Sequence, residues 1–246
     1  MKSKGFGAKK KAKRNDSKNL VAKSDNHNSL NKAIDLHKNG NIVEAKKLYI
    51  NHIYSHQKYN EIALTNLASI YKNEGNFKES IKYYDLCIQQ NPNCKNAYIN
   101  LGNLYIEIGN LDQASKVTDQ GLDKHKENGF LFSNKSIVEY HSKLYEKAYI
   151  SSGKAVKAQP ENIKFKFNQG LICERLGLHN EADKNFYSFQ NCDDISSKHL
   201  CDFGLLLKDE KLLNRAADFM KKAIQLEPSN VVYHTNLIGL LKEQGK

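Results

Sequence analysis

The sequence predicts an all-α fold: a right-handed superhelix of about six helix-turn-helix units, closed by one capping helix. Three observations lead there. A 34-residue pattern runs twice without a gap from Ala63 to Asn128, where Ala63, Asn66, Leu67, Gly75 and Phe77 return as Ala97, Asn100, Leu101, Gly109 and Leu111. A fixed period of this length marks stacked helical hairpins. The composition agrees, with 39% hydrophobic residues, only three prolines and no tryptophan, alongside abundant helix formers. No stretch reads as a convincing strand.

The first 26 residues stand apart. They carry nine bases, among them Lys9, Lys10, Lys11, Lys13 and Arg14, against Asp16 and Asp25. That is +7 of the total +11, which leaves +4 for the rest of the chain. After Met1, Phe6 is the one large apolar residue among the first nineteen, too little to offset the entropy of ordering a chain. Residues 1–26 are therefore expected to be a basic disordered tail. Its KKKAKR run fits a nuclear-localisation-like or polyanion-binding patch. No aromatic residue interleaves the bases, so a solubilising tail is the preferred reading and nucleic acid is not the expected partner.

From Asn28 the hairpins follow in order. Ile34, Leu36, Ile42, Ala45, Leu48 and Tyr49 give apolar spacing on either side of Gly40. Aligning Gly40 with Gly75 makes the first unit 35 residues long. Later units keep strict register: 28–62, 63–96, 97–130, 131–164, 165–198, 199–232 and a partial 233–246. The turn between the two helices of a unit reads Gly75, Gly109, Lys143, Gly177, Lys211. That position needs a residue tolerant of positive φ. Ser80, Ala114, Ala148, Ala182 and Ala216 open the core face of the second helix, and Cys87, Gly121, Ala155, Phe189 and Ala223 form a later slot. Small residues belong where helices approach closely. Pro92, Pro160 and Pro228 stop second helices.

This pattern resembles the tetratricopeptide repeat family over residues 28–246, best over 63–96 (ALTNLASIYKNEGNFKESIKYYDLCIQQNPNCKN). The fifth unit departs most, with Phe189 in a small slot and Asp194 where proline is usual, so a local irregularity is expected there. The resemblance implies a protein-interaction scaffold that grips an extended peptide or partner protein in a concave groove.

One first-helix position reads Asn31, Asn66, Asn100, Asn134, Asn168, Asp202, Asn236. Helix interiors disfavour asparagine. In the family this position faces the groove, where an amide pairs with peptide backbone whatever its sequence. A similar ladder marks the repeat half of O-linked N-acetylglucosamine transferases. The alternative is that these asparagines only bridge adjacent repeats. The family's carboxylate clamp is absent: the preceding position reads Thr65, Ile99, Ser133, Phe167, Cys201, and no ladder position holds arginine. Further groove lining is expected from Ser69, Asn73 and Asn103, with Asn96 nearby, turning basic through Lys164, Arg175, Lys198 and Lys208 opposite Glu174 and Asp209.

Catalysis is not expected, and no cofactor is implied. His52 and His56 lie one helical turn apart without a carboxylate in ligand spacing. Cys87, Cys94, Cys173, Cys192 and Cys201 are odd in number and form no CxxC pair, so they read as reduced packing residues of a cytoplasmic protein, or a nuclear one if eukaryotic. Tyr83, Tyr84, Tyr140 and Tyr149 fit core or groove-wall rows. No apolar run reaches the roughly 20 residues of a membrane span, and no secretory signal is read. Two further functions stay open: a targeting or substrate-recruiting half working with a glycosyl- or sulfotransferase, and polyanion binding by the tail.

Overall fold

The computed structural model describes residues 29–55, 60–190 and 195–245. The tail 1–26, His56, Cys192, Asp194 and the Phe189 side chain lie outside the described residues. Within them are thirteen helices and no strand. They are α1 (29–38), α2 (Ile42–Ser55), α3 (Glu61–Asn73), α4 (Phe77–Gln90), α5 (Lys95–Glu107), α6 (Leu111–Lys124), α7 (Gly129–His141), α8 (Tyr145–Ala158), α9 (Ile163–Arg175), α10 (His179–Gln190), α11 (Ser197–Asp209), α12 (Leu213–Leu226) and α13 (Val231–Glu243). They make six hairpins and a final single helix. None of the described helices is long and apolar enough to cross a membrane.

Local chemistry sets the boundaries. Every described turn inside a hairpin passes through the left-handed region: Gly40, Gly75, Gly109 and Gly177 at φ of 71° to 79°, and Lys143 and Lys211 at 60° and 64°. Gly245 repeats the geometry after α13. This is the left-handed cap that ends a helix and satisfies its last carbonyls. First helices begin on a side-chain cap at Asn60, Asn128, Asn162, Ser196 and Asn230, each accepting from backbone N–H groups of the following turn. Second helices α4, α8 and α12 end at Asn91, Gln159 and Glu227, which leave the helical region at φ of −134° to −144° ahead of Pro92, Pro160 and Pro228, as a residue before proline is driven to do.

The chain divides into two compact units, Met1–Lys126 and Glu127–Lys246. In the first, α2 to α6 pack in sequence, each on the next. Ala45, Ser80 and Ala114 are wholly buried where paired helices close on each other, and Cys87 and Gly121 are buried one further slot along. Tyr49 and Tyr84 fill the space beside them. His52 is buried too, its Nδ1 3.5 Å from Ser29 Oγ.

In the second unit, Ala148, Ala182 and Ala216 repeat the first buried slot, while Ala155 and Ala223 repeat the second. Gly170 shows how tight the approach is: a Cβ there would lie 2.7 Å from the Phe186 ring. The core is aromatic, with Phe167 4.1 Å from Phe203 and 5.7 Å from Phe186 between ring centroids. Phe219 completes the cluster.

Candidate binding cleft

In the second unit the first helices α7, α9 and α11 face one cleft of about 390 Å³. Its floor is apolar: Ile137 from α7, Phe167, Leu171 and Ile172 from α9, and Leu206 from α11. Leu206 is 48% exposed, although its counterparts Ile70, Leu104, Val138, Ile172 and Leu240 are all buried. Asn168 of the ladder lies on the same wall.

One end of the cleft is polar and tightly connected. Tyr140 donates its hydroxyl to Glu210 Oε2 at 2.6 Å, Arg175 Nε donates to the Tyr140 oxygen at 3.0 Å, and Arg175 forms an ion pair with Glu210. Burial, then the bond to Glu210, pushes the Tyr140 phenol up to about 12, against the Arg175 guanidinium. The bonds to Tyr140 and Glu210 hold Arg175 firmly protonated. Tyr140 is thus a neutral donor, and His141 and Asp209 complete that rim.

The ladder divides by environment. Asn66 donates its amide to the Tyr49 hydroxyl at 3.0 Å. Tyr84, in the equivalent position one unit on, shares side-chain hydrogen bonds with Asn100 and Ser69 while burial raises its phenol to about 12. Asn168 donates to Ser133 Oγ at 3.4 Å, and Asn236 to Cys201 Sγ at 3.4 Å. Each of these four reaches back to the preceding hairpin. Asn134 is 3% exposed, whereas Asn31 and Asp202 are exposed. Asn66, Asn100, Asn168 and Asn236 therefore join hairpins, and Asn168 alone of them also borders the cleft.

Of the other lining positions, Ser69 is half-buried, and Asn73, Asn96, Asn103, Lys164 and Lys198 are exposed. The two remaining bases are neutralised: Arg175 by Glu210, and Lys208 by Glu243 at 2.6 Å. Glu174 turns away from them to Arg215 and His179. The floor residues Ile137 and Leu171 were not foreseen. The signal was present, because the position of Ser69 and Asn103 becomes Ile137, Leu171 and Leu205 in later units. What changes along this position is polarity rather than charge. Tyr83 and Tyr84 are buried core, and Tyr140 is cleft wall. Tyr149 donates to Glu181 at 2.7 Å. Among the described residues no cluster of three or more metal-ligating side chains occurs.

Comparison with known proteins gives a consistent picture. Residues 72–129 match the tetratricopeptide repeat family model. The protein O-mannosyl-transferase TMTC3 of Homo sapiens is 28% identical over 167 residues, covering 66% of this chain and 18% of that protein. The chain thus spans less than a fifth of the length of the curated relatives it matches. A tetratricopeptide repeat protein from Parabacteroides merdae superposes with a TM-score of 0.66 at 19% identity, over 87% of this chain and 83% of that one. YrrB, described as a tetratricopeptide repeat protein with an unusual peptide-binding site, superposes with a TM-score of 0.50 at 19% identity, over 76% and 96% of the two chains. These likenesses show the fold.

Proposed function

Since this chain folds as a tetratricopeptide repeat protein, we propose that it is a non-catalytic scaffold that holds an extended peptide or partner protein against its first helices. The cleft of the second unit carries the reading. An apolar floor of about 390 Å³ takes a ligand side chain the size of leucine or phenylalanine. The amide of Asn168 and the Tyr140–Arg175–Glu210 rim meet the ligand backbone beside that anchor. A few convergent polar groups around an apolar pocket is how such sites combine affinity with orientation. The peptide-binding site of YrrB supports the reading by analogy of fold. Asn66, Asn100 and Asn236 contribute indirectly, by keeping successive hairpins in register.

The test is selection of binders from a displayed peptide library, followed by titration of the selected peptides against wild type and Leu206→Glu. Leu206 is half exposed, so the substitution leaves the fold intact, as circular dichroism verifies. A buried apolar anchor contributes about 1.5–3 kcal/mol, so affinity should fall about tenfold or more. Equal affinity for both proteins would move the site elsewhere.

A second reading is favoured by the likeness to an O-mannosyl-transferase: the chain recruits substrates for a glycosyltransferase system. It predicts that proteins captured by wild type and lost with Leu206→Glu include a glycosyltransferase or its acceptors. Polyanion binding by residues 1–26 predicts affinity that falls steeply with salt and disappears on removal of those residues.

A further inference from the structure

Cys87 and Cys94 occupy two slots that the rest of the array fills differently, and the two replacements touch. The slot of Cys87 reads His52, Gly121, Ala155 and Ala223 in the other described units. The slot of Cys94 is the first-helix cap, which is Asn60, Asn128, Asn162, Ser196 and Asn230 elsewhere. Those five side chains accept from helix N–H groups, whereas Cys94 makes no side-chain cap bond. Such a cap bond stabilises a helix start, and α5 goes without it. Cys94 Sγ instead lies 2.9 Å from Cys87 Sγ, across the turn of Pro92 that joins α4 to α5. Both thiols are free and buried, 1% and 4% exposed.

From this juxtaposition we propose that Cys87 and Cys94 are a reversible dithiol–disulfide pair, oxidised by hydroperoxides and reset by dithiol reductants, which staples the second hairpin to the third. The sulfurs need close by only about 0.9 Å to reach bonding distance. Their roles are unequal. Cys94 borders a cleft of about 300 Å³ with Glu61, Asn96 and His125, so of the two buried sulfurs it is the one nearer an opening. The hydrogen bond from Cys87 lowers the Cys94 thiol and the Ala97 amide assists, against burial and the Glu61 carboxylate. The Cys87 thiol is raised by the same bond and by burial. A lowered thiol beside an opening is the one of such a pair that oxidation favours.

The step balances. The Cys94 thiol gives its proton to solvent and its thiolate attacks a peroxide oxygen; the O–O bond breaks, and the departing oxygen takes a proton from solvent and leaves as an alcohol or water, giving a sulfenic acid. Cys87 Sγ then attacks Cys94 Sγ. The S–S bond forms, the S–O bond breaks, and water leaves with the Cys87 proton. Two electrons pass from the thiols to the peroxide, and a dithiol returns them.

The experiment exposes the full-length chain to graded hydrogen peroxide, then alkylates it and digests it with trypsin. Both cysteines fall in the one peptide Tyr83–Lys95. It should lose the mass of two hydrogens and resist alkylation at peroxide on the order of tenfold below that which oxidises Cys173 or Cys201, with dithiothreitol restoring it. The preference should collapse when the protein is oxidised in urea, which separates native geometry from the mere closeness of two cysteines in sequence. Cys94→Asn restores the cap and should leave Cys87 alkylatable at the same peroxide; Cys94→Ser serves should the asparagine variant fold poorly. Oxidation of the pair no faster than of Cys173 and Cys201, or sulfinic acid accumulating at Cys94 without the disulfide, would overturn the proposal.

Discussion

Lys143 and Lys211 show most directly what one residue contributes. Both hold a left-handed turn, at φ of 60° and 64°, where the equivalent residues in other units are glycine. That conformation costs a side chain with a Cβ about 1–2 kcal/mol, partly offset because glycine gains freedom in the unfolded chain. Lys143→Gly and Lys211→Gly should each raise the urea midpoint, with a net gain of about 0.5–1 kcal/mol. A lowered midpoint for both would mean that the lysine side chains hold the turns by contacts of their own. The Asn66–Tyr49 bond allows a second test at this scale. A double-mutant cycle with Asn66→Ala and Tyr49→Phe should give a coupling of about 1 kcal/mol, the value of a partly buried neutral hydrogen bond. Zero coupling would remove the amide from the bridging role that its geometry implies.

At the scale of the helix pair, closeness of approach decides what each slot accepts. A Cβ on Gly170 would meet the Phe186 ring at 2.7 Å, while one on Gly239 of α13 meets nothing within 4 Å. Gly170→Ala should therefore destabilise by about 1–3 kcal/mol through overpacking, and Gly239→Ala should stabilise by up to about 1 kcal/mol through helix propensity. Paired thermal melts check both signs. The elements themselves were legible in the sequence, because turn glycines, small slots and prolines recur at a fixed interval and each has a local steric cause. The cleft was legible only in part. Asn168 and Arg175 were found through periodicity, yet Arg175 is tied to Tyr140 and Glu210, and such pairing between units depends on side-chain reach that spacing does not encode. The floor residues Ile137 and Leu171 carry no local signal that separates them from other helix apolar residues, because only packing shows which ones remain partly uncovered.

Across the whole molecule, stability accumulates hairpin by hairpin through repeated close contacts, as expected of repeat proteins. Charge plays a lesser part. Lys72 pairs with Glu107, Arg175 with Glu210 and Lys208 with Glu243, each 35 residues apart, but exposed pairs of this kind contribute about 0–1 kcal/mol. Most of the net positive charge, +7 of +11, sits in the first 26 residues.

The left-handed turns recur every 34 residues from Gly75 to Gly245 without exception. A chain that keeps such an interval reads its own sequence in frame, and the error it tolerates least is a miscount. Removing one residue from a helix turns everything after it by about 100°, so buried and exposed faces exchange until the next turn resets them. Deleting the exposed Leu205 should therefore melt the α11–α12 hairpin in hydrogen exchange, while Leu205→Ala leaves it protected. An unprotected hairpin in both variants, or in neither, would show that the side chain rather than the count governs. For such an architecture, substitutions are errors of spelling, and single-residue deletions are errors of grammar.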